Sequence, residues 1–145
     1  LGATTFFSGR VGNDCDGDLY IGDLSDLGIG YHGTRASDTA TGQCLVMVTP
    51  DAERTMNTFL GITASMSTEE VVADAIKNSK YMYMEGYLVA SPTGKAAAIK
   101  AREVAEAAGV KTALTFSDVN MVKFFKSGLY TTILGSSLTA SSSLK

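Results

Sequence analysis

The stretch from Thr41 to Gly61 constrains the fold of this chain more than any other part of the sequence. Its first half, Gln43 to Thr49, is rich in residues that favour β-strands. Pro50-Asp51 follows, where proline fixes φ and aspartate tolerates a tight corner. The second half alternates between two faces. The pattern predicts an antiparallel hairpin, which is also typical of an ordinary sheet edge; because an isolated hairpin is marginal in water, we expect it to pack on something.

The rest of the chain alternates between strand-like and helix-like segments. A short buried strand is predicted at Thr4–Ser8, then a helix to about Leu27 with Gly28 as its carboxy-terminal cap, and a polar loop from Gly30 to Ala40. Further along, the sequence predicts a helix that begins at the capping box Ser67–Glu70 and ends near Asn78. A strand at Tyr81–Glu85, a helix from Pro92 to Gly109 and a strand at Lys111–Phe116 follow. The last two predicted elements are a weak helix at Val119–Lys126 and a strand at Tyr130–Leu134. Strand, long helix and strand form a βαβ unit, so two of these strands should be parallel.

Composition narrows the function classes. The 145 residues fit one domain, and 45% of them are apolar, which is enough to bury a core. A net charge of -3 without a Lys/Arg cluster argues against nucleic acid as a partner, and no apolar run reaches membrane-spanning length. We therefore expect neither a nucleic-acid nor a membrane partner.

The cysteines and the histidine point to a cytoplasmic protein without a metal site. Cys15 and Cys44 stand in an acidic chain with no recognisable leader, so reduced thiols are expected. His32 is the only histidine and no Cys-x-x-Cys occurs, so no metal site is predicted.

Polar residues follow two of the predicted strands. Ligands in parallel α/β sheets bind beyond the carboxyl ends of strands, which makes Glu85, Asp118 and Asn120 candidates for one cleft. Asp118 is also well placed to cap the next helix. Glu85 follows an apolar strand, and it could pair with a lysine or arginine or contact a substrate.

A glycine-rich turn precedes the first helix. Gly12, Asp14 and Gly17 suggest a phosphate-binding loop, but the phosphate-loop and dinucleotide-binding motifs are both absent. The other interpretation is structural: the glycines allow a sharp strand-to-helix turn and Asp14 caps the helix.

Four motifs, in order, resemble the PfkB (ribokinase-like) carbohydrate and nucleoside kinases, with the adenosine-kinase-like members most similar. The hairpin resembles the lid of that family. The other three motifs are Gly9-Arg-Val-Gly-Asn-Asp-Cys-Asp-Gly17, Tyr81-Met-Tyr-Met-Glu-Gly-Tyr-Leu88 with Ser91-Pro92, and Leu114-Thr-Phe-Ser-Asp-Val-Asn-Met-Val-Lys-Phe-Phe125. The resemblance implies an α/β, three-layer αβα fold with parallel central strands and a small antiparallel lid hairpin at about residues 41–61.

The resemblance also implies which parts of a kinase are present. Residues 1–134 would be a partial kinase domain, and the Ser-rich residues 135–145 a disordered tail. The family's amino-terminal strand with its substrate-binding aspartate would precede Leu1, and the Asp-Thr-x-Gly-Ala-Gly-Asp motif with the catalytic base and anion hole is missing. We therefore expect a fragment that is inactive alone, with no catalytic residue of its own.

By the same resemblance, the reaction would be transfer of the ATP γ-phosphoryl to a hydroxymethyl group of a sugar or nucleoside, with Mg²⁺. Motifs for binding ATP or Mg²⁺ are not found in this chain. The residues expected to line the lid and the cleft wall are Cys44, Arg54, Met56, Thr58, Leu60, Tyr87 and Leu88. A non-catalytic binding module, or a homodimer formed through the hairpin, is the alternative role.

Overall fold

The computed structural model describes residues 2–36 and 38–134, which fall into two compact units. The first unit ends at Met66 and the second begins at Ser67. The described part of the chain contains no helix with the length and apolarity needed to cross a bilayer. The Ser-rich tail predicted at 135–145 lies outside the described residues.

The first unit begins with two small parallel pairs of strands around one helix. Its elements are β1 (Phe6–Ser8), β2 (Val11–Gly12), α1 (Cys15–Asp26), β3 (Gly30–His32) and β4 (Arg35–Ala36). β1 pairs with β3 and β2 pairs with β4, both in parallel. Asp14 caps α1, and Gly28 follows the helix with a φ of 68°, so the predicted cap at Gly28 is confirmed.

The predicted loop from Gly30 to Ala40 is wrong, because it contains β3 and β4. The amide of Gly30 donates to the carbonyl of Thr5 at 3.1 Å, and the amide of Asn13 donates to Ala36 at 2.7 Å. Strands of two or three residues are too short to show a periodic pattern, and their stability comes from distant partners. The strand predicted at Thr4–Ser8 is present but not buried: Phe6 and Phe7 are 45% and 40% exposed.

The hairpin has the predicted position and is antiparallel. β5 (Gln43–Val48) pairs with β6 (Arg54–Phe59), with Val48 opposite Arg54 and Cys44 opposite Thr58. Its turn closes through the amide of Ala52, which donates to Thr49 at 2.9 Å, while Ala52 takes a φ of 67°. A 3-10 helix, Gly61–Ser65, follows β6.

The second unit contains the predicted βαβ crossover. Its elements are a 3-10 helix at Thr68–Glu70, α2 (Ala73–Lys77), β7 (Tyr81–Glu85), a 3-10 helix at Gly86–Ala90, α3 (Pro92–Ala107), β8 (Lys111–Thr115), α4 (Val119–Phe124) and α5 (Lys126–Leu134). β7 and β8 are parallel, as predicted. The capping box of Ser67 and Glu70 is present, but extended backbone at Val71 and Val72 breaks the predicted helix in two.

The strand predicted at Tyr130–Leu134 is wrong, because these residues end helix α5. Leu129 and Thr132, three positions apart, are both buried, and Leu129 packs in one cluster with Val89 and Met121. The hydroxyl of Thr132 donates to the carbonyl of Gly128 at 3.0 Å. Packing of one helical face, with the buried hydroxyl satisfied inside the helix, outweighs the β-propensity of this segment.

Candidate functional site

The strongest concentration of polar side chains in the second unit lies where β7 and β8 end. Parallel strands place their carboxyl ends at the same edge. Glu85 ends β7, and its two carboxylate oxygens accept from the Tyr83 hydroxyl at 2.9 Å and the Ser117 hydroxyl at 3.1 Å. The Tyr87 hydroxyl donates to Asp118 at 2.7 Å. We call these five residues the strand-end cluster.

Asp118 also caps α4, as one interpretation of the sequence proposed. Its Oδ1 accepts from the amides of Asn120 at 2.6 Å and Met121 at 3.0 Å, while its Oδ2 faces Tyr87. Ser117, just before it, has a φ of 65°, and its Oγ accepts from the amide of Tyr87 at 3.1 Å. A non-glycine residue in this conformation persists only where its surroundings hold it, and here hydrogen bonds on its side chain do so.

Hydrogen bonds shift the pKa values of three groups at the strand ends. The Tyr87 hydroxyl, followed by the Met121 amide, holds the pKa of Asp118 below its ordinary value of 3.8. The same contact raises the pKa of Tyr87 above 10.0, and the bond to Glu85 raises the pKa of Tyr83. Asp118 is therefore a carboxylate at neutral pH, and the phenols are neutral donors.

The candidates named for this cleft are only partly brought together. Glu85, Tyr87 and Asp118 share the strand-end cluster, and Glu85 is exposed and bonded to hydroxyls rather than paired with a lysine or arginine. Asn120 joins through its backbone amide. Leu88 is half-buried in the 3-10 helix that follows β7.

In the first unit, the hairpin divides its side chains between two faces. Directly opposed residues of an antiparallel pair share a face. The Met56 face consists of Cys44, Val46, Val48, Arg54, Met56 and Thr58, and the Met47 face consists of Gln43, Leu45, Met47, Thr55, Asn57 and Phe59. All twelve residues are exposed, so neither face is covered within the described part of the chain.

Of the four residues Arg54, Met56, Thr58 and Leu60, predicted to share a face, the first three do so. Cys44, predicted to lie near the same cleft, is beside Thr58 on this face, with Sγ 3.3 Å from Oγ1, and is an exposed free thiol. Arg54 lies next to the turn, and Met56 lies between Arg54 and Thr58 on the same face. Leu60 is the exception: it follows β6 with a φ of -69° and a ψ of -27°, so the strand alternation does not reach it.

The glycine-rich turn has the structural geometry that the sequence offered as an alternative to a phosphate loop. Asp14 caps α1 by accepting from the Gly17 amide at 2.9 Å. A Cβ on Gly17 would lie 2.3 Å from the carbonyl oxygen of Gly12, so only glycine fits this approach of helix to strand. The Thr41 hydroxyl, with the amides of Thr41 and Gly17, lowers the pKa of Asp14.

Two residues of these sites are absent from the sequence-based candidates. Tyr83 lies two residues before Glu85, so the strand period places both on one face of β7, and this signal could have identified it. Thr41 is buried and donates to Asp14 through its amide and its hydroxyl, at 2.8 and 2.6 Å. Its partner is 27 residues away, so no local pattern indicates it.

No metal site emerges from the described side chains. Residues 2–36 and 38–134 contain no group of three His, Cys, Asp or Glu side chains placed to hold a metal ion. A depression of about 310 Å³ lined by Tyr81, Lys111 and neighbouring residues lies at the amino ends of β7 and β8, opposite the strand-end cluster. The depression and the polar cluster therefore do not coincide.

Comparison with known proteins gives a consistent family. The family model described as pfkB family carbohydrate kinase matches residues 1–136. No curated protein matches the chain.

Solved structures agree with the family model. An adenosine kinase from Sinorhizobium meliloti is 33% identical, with a TM-score of 0.85 over 89% of this chain and 40% of that one. A probable sugar kinase protein from Rhizobium etli CFN 42 is 29% identical, with a TM-score of 0.86 over 92% of this chain and 41% of that one. At 19% identity, an adenosine kinase from Schistosoma mansoni in complex with 2-fluoroadenosine shares the fold, with a TM-score of 0.79 over 88% of this chain and 38% of that one. The predicted ribokinase-like α/β fold is confirmed, and the chain spans about 40% of the length of these structures.

Proposed function

The chain belongs to the pfkB carbohydrate kinase family, and from that premise we propose that it forms the substrate-side and lid portion of a sugar or nucleoside kinase. The reaction is transfer of the ATP γ-phosphoryl to a hydroxymethyl group, with adenosine, ribose and fructose as candidate acceptors. The observation that carries the proposal is the hairpin, which has six-residue arms and is exposed on both faces.

The Met56 face has the chemistry that a lid needs. Val46, Val48 and Met56 offer an apolar surface for a base or a sugar ring, and covering the ring excludes water that would otherwise hydrolyse ATP. Arg54 lies at the turn end of this face, about 13 Å along the strand from Thr58. A fixed guanidinium there is suited to the charge on a transferred phosphate.

The strand-end cluster, in the second unit, is a separate candidate for contacting a ligand that carries hydroxyl groups. Glu85 and Asp118 are carboxylates that accept hydroxyl donors, and each holds a tyrosine hydroxyl in this structure. A ligand with several hydroxyl groups could take the place of those donors at little cost, because both carboxylates are exposed. Tyr87, 51% exposed, would then form part of the cleft wall, and the half-buried Leu88 is the other candidate for it.

ATP and Mg²⁺ are implied by the family rather than by the residues described. Residues 2–36 and 38–134 have no acidic cluster that fits Mg²⁺. None of these residues is proposed as the catalytic base. We therefore expect the 145-residue chain alone to show no ATP-dependent transfer to any of the acceptors, and a clear rate from the pure chain would contradict this part of the proposal. The free, exposed cysteines fit a cytoplasmic enzyme.

Ligand-dependent melting tests the substrate side directly. A ligand that binds only the folded state stabilises it by mass action, by about 2.7 kcal/mol at one hundred times Kd. We expect adenosine or one of ribose, fructose and 2-keto-3-deoxygluconate to raise the melting temperature, and ATP with Mg²⁺ to leave it unchanged.

Two methionines provide a matched control for the lid. Met56→Ser should remove the ligand-dependent shift, and Met47→Ser should leave it, because the two exposed side chains lie on opposite faces of the same hairpin. Equal effects of the two substitutions, or no shift with any ligand in the unmodified chain, would contradict the proposal.

A second role, self-association, is favoured by the Met47 face. Leu45, Met47 and Phe59 are exposed together on it, and apolar sheet surfaces tend to pair with other chains. A homodimer through this face would leave the Met56 face available for a ligand. Light scattering should then show a dimer that Phe59→Lys dissociates and Met56→Lys does not; a monomer at all concentrations would exclude this role.

A further inference from the structure

Thr41, two residues before β5, makes three hydrogen bonds to Gly12 and Asp14, and a fourth bond joins Asp14 to the first turn of α1. The Thr41 amide donates to Oδ2 of Asp14 at 2.8 Å, and the Thr41 hydroxyl donates to Oδ1 at 2.6 Å. That hydroxyl accepts from the Gly12 amide at 2.8 Å, and Oδ1 accepts from the Gly17 amide at 2.9 Å. Thr41 is 7% exposed and its bond from the Gly12 amide is buried, while the three bonds to Asp14 are partly buried. We call this arrangement the Asp14–Thr41 latch.

The latch contains more than a helix cap requires. Capping α1 uses only the bond from the Gly17 amide to Oδ1. The two bonds from Thr41 come from a residue 27 positions further along the chain, and one of them fixes backbone rather than side chain. Asp14 therefore joins the start of α1 to the start of the first arm.

The other end of the hairpin returns to the same place. The amide of Ile62, just past β6, donates to the carbonyl of Ala40 at 2.9 Å. The segments that flank the two arms are therefore tied together at residues 40–41, while the twelve residues of the arms are exposed. Of these twelve, Gln43 also donates its side chain to Asp16 in α1. The direction in which the arms leave the body of the first unit depends on these contacts.

We propose that Asp14 is a positioning residue for the lid, and that it sets the orientation of the Met56 face by holding Thr41. The inference rests on the proposed function, in which this face closes over the acceptor. Asp14 itself does not contact the acceptor; it acts through Thr41 and the first arm.

Asp14→Asn separates the latch from the helix cap. Asparagine caps helices as well as aspartate, and its Oδ1 can still accept from Gly17. Its amide group, however, would present a donor to the Thr41 N–H, so one bond of the latch becomes a clash between two donors. We expect hydrogen exchange at residues 41–45 and 57–60 of the full chain to become about tenfold faster, while exchange in α1 changes less than about twofold.

Thr41 supplies the second variant and the rescue. Thr41→Val removes the hydroxyl and leaves the Gly12 amide without its acceptor, so it should also accelerate exchange at the hairpin base. Thr41→Ser keeps both hydroxyl bonds and should restore the original rates. Asp26→Asn, at the far end of α1, removes the same charge and should change neither region.

The outcomes distinguish a latch from a cap. Faster exchange at the hairpin base with α1 unchanged supports the proposal. Equal acceleration in both regions would show that Asp14 is only a cap, and no change in either variant would show that the bonds do not restrain the hairpin; both results overturn the proposal.

Adding adenosine, ribose or fructose tests the two ideas independently. If a ligand slows hydrogen exchange of the hairpin amides in the unmodified chain and this protection is lost in Asp14→Asn, both the proposed function and the role of Asp14 are supported. A latch effect without any ligand protection would leave Asp14 controlling the hairpin and contradict the proposed function. Ligand protection that survives in Asp14→Asn would leave the function standing and overturn the role of Asp14.

Discussion

Two strand-to-helix junctions, one in each unit, are built from the same parts and differ in what they hold. At the first, Asp14 caps α1 and Gly17 passes against a strand carbonyl; at the second, Asp118 caps α4 and Gly86 passes against the carbonyl of Thr115. Each aspartate also has a partner far along the chain. For Asp14 it is the buried Thr41, and for Asp118 it is the exposed Tyr87.

The two junctions differ in how easily the distant partner of the aspartate, Thr41 or Tyr87, can be replaced by another donor. The donor of the Thr41 bond is a main-chain amide, so this bond breaks only if the Asp14 side chain rotates or the hairpin moves. The phenol of Tyr87 can rotate away and be replaced by water or by a ligand hydroxyl at small cost. One junction is therefore held partly by the main chain, whereas the second partner at the other is a side chain that a ligand hydroxyl could replace.

The largest effect that tests this comparison should come from Gly17→Ala. The new Cβ would lie 2.3 Å from the carbonyl oxygen of Gly12 and 3.1 Å from the hydroxyl of Thr41, so either the helix or the strand must shift. We expect a loss of about 3 kcal/mol in the free energy of unfolding, measured by urea denaturation.

Gly22→Ala is the matched control in the same helix. Nothing lies within 4 Å of the Cβ position at Gly22, and alanine is the better helix former, so the variant should be more stable by about 0.5–1 kcal/mol. If both substitutions stabilised the chain, the approach of α1 to β2 would not be a constraint on the first junction.

Acid should reveal the carboxylates at both junctions, with a smaller effect. Because the folded pKa values of Asp14 and Asp118 lie below 3.8, each carboxylate adds stability that is present above that pH and is lost as the pH falls through the folded pKa. Asp14→Asn and Asp118→Asn do not titrate there. The stability difference between the unmodified chain and each variant should therefore be constant near neutral pH and shrink on acidification below about pH 4.

Carboxyl NMR titration would then separate the two second partners. Tyr87→Phe should raise the pKa of Asp118 toward its ordinary value, since the Tyr87 hydroxyl is the largest cause of its depression. Thr41→Val should do the same for Asp14. An Asp118 pKa that did not move in Tyr87→Phe would mean that the backbone amides alone set it, and the second junction would lose its distinguishing contact.

The comparison also shows where sequence reasoning succeeds. Both caps follow from an aspartate between a strand and a helix, and the hairpin follows from alternation around Pro50-Asp51, because these signals are local. The parallel pairing of β7 and β8 follows from the length of the helix between them.

The contacts that the sequence does not predict join residues that are far apart along the chain. Thr41 and Tyr87 lie 27 and 31 residues from the aspartates they bind, and β3 and β4 are strands only because β1 and β2 pair with them. Residues 130–134 have the composition of a strand, but the burial of Leu129 and Thr132 on one face makes them helical. Contacts that depend on tertiary packing leave no local pattern.

The smallest expected effect compares the two residues other than glycine that are described with positive φ, Ala52 and Ser117. At Ala52, in the hairpin turn, a Cβ in this conformation costs about 1–2 kcal/mol. Glycine removes this cost, but it also raises the conformational entropy of the unfolded chain, which offsets part of the gain in stability. Ala52→Gly should therefore stabilise the chain by about 0.5 kcal/mol in urea denaturation.

Ser117→Gly should not show that gain, although the backbone strain is the same. The Ser117 side chain accepts from the Tyr87 amide and donates to Glu85, at 3.1 Å each, and glycine would lose both bonds. Strain that is held in place by hydrogen bonds among candidate ligand-binding groups is the pattern expected of a site, whereas strain in a turn is incidental. If Ser117→Gly stabilised the chain as much as Ala52→Gly, those bonds would contribute nothing, and the second junction would be no more than a helix cap.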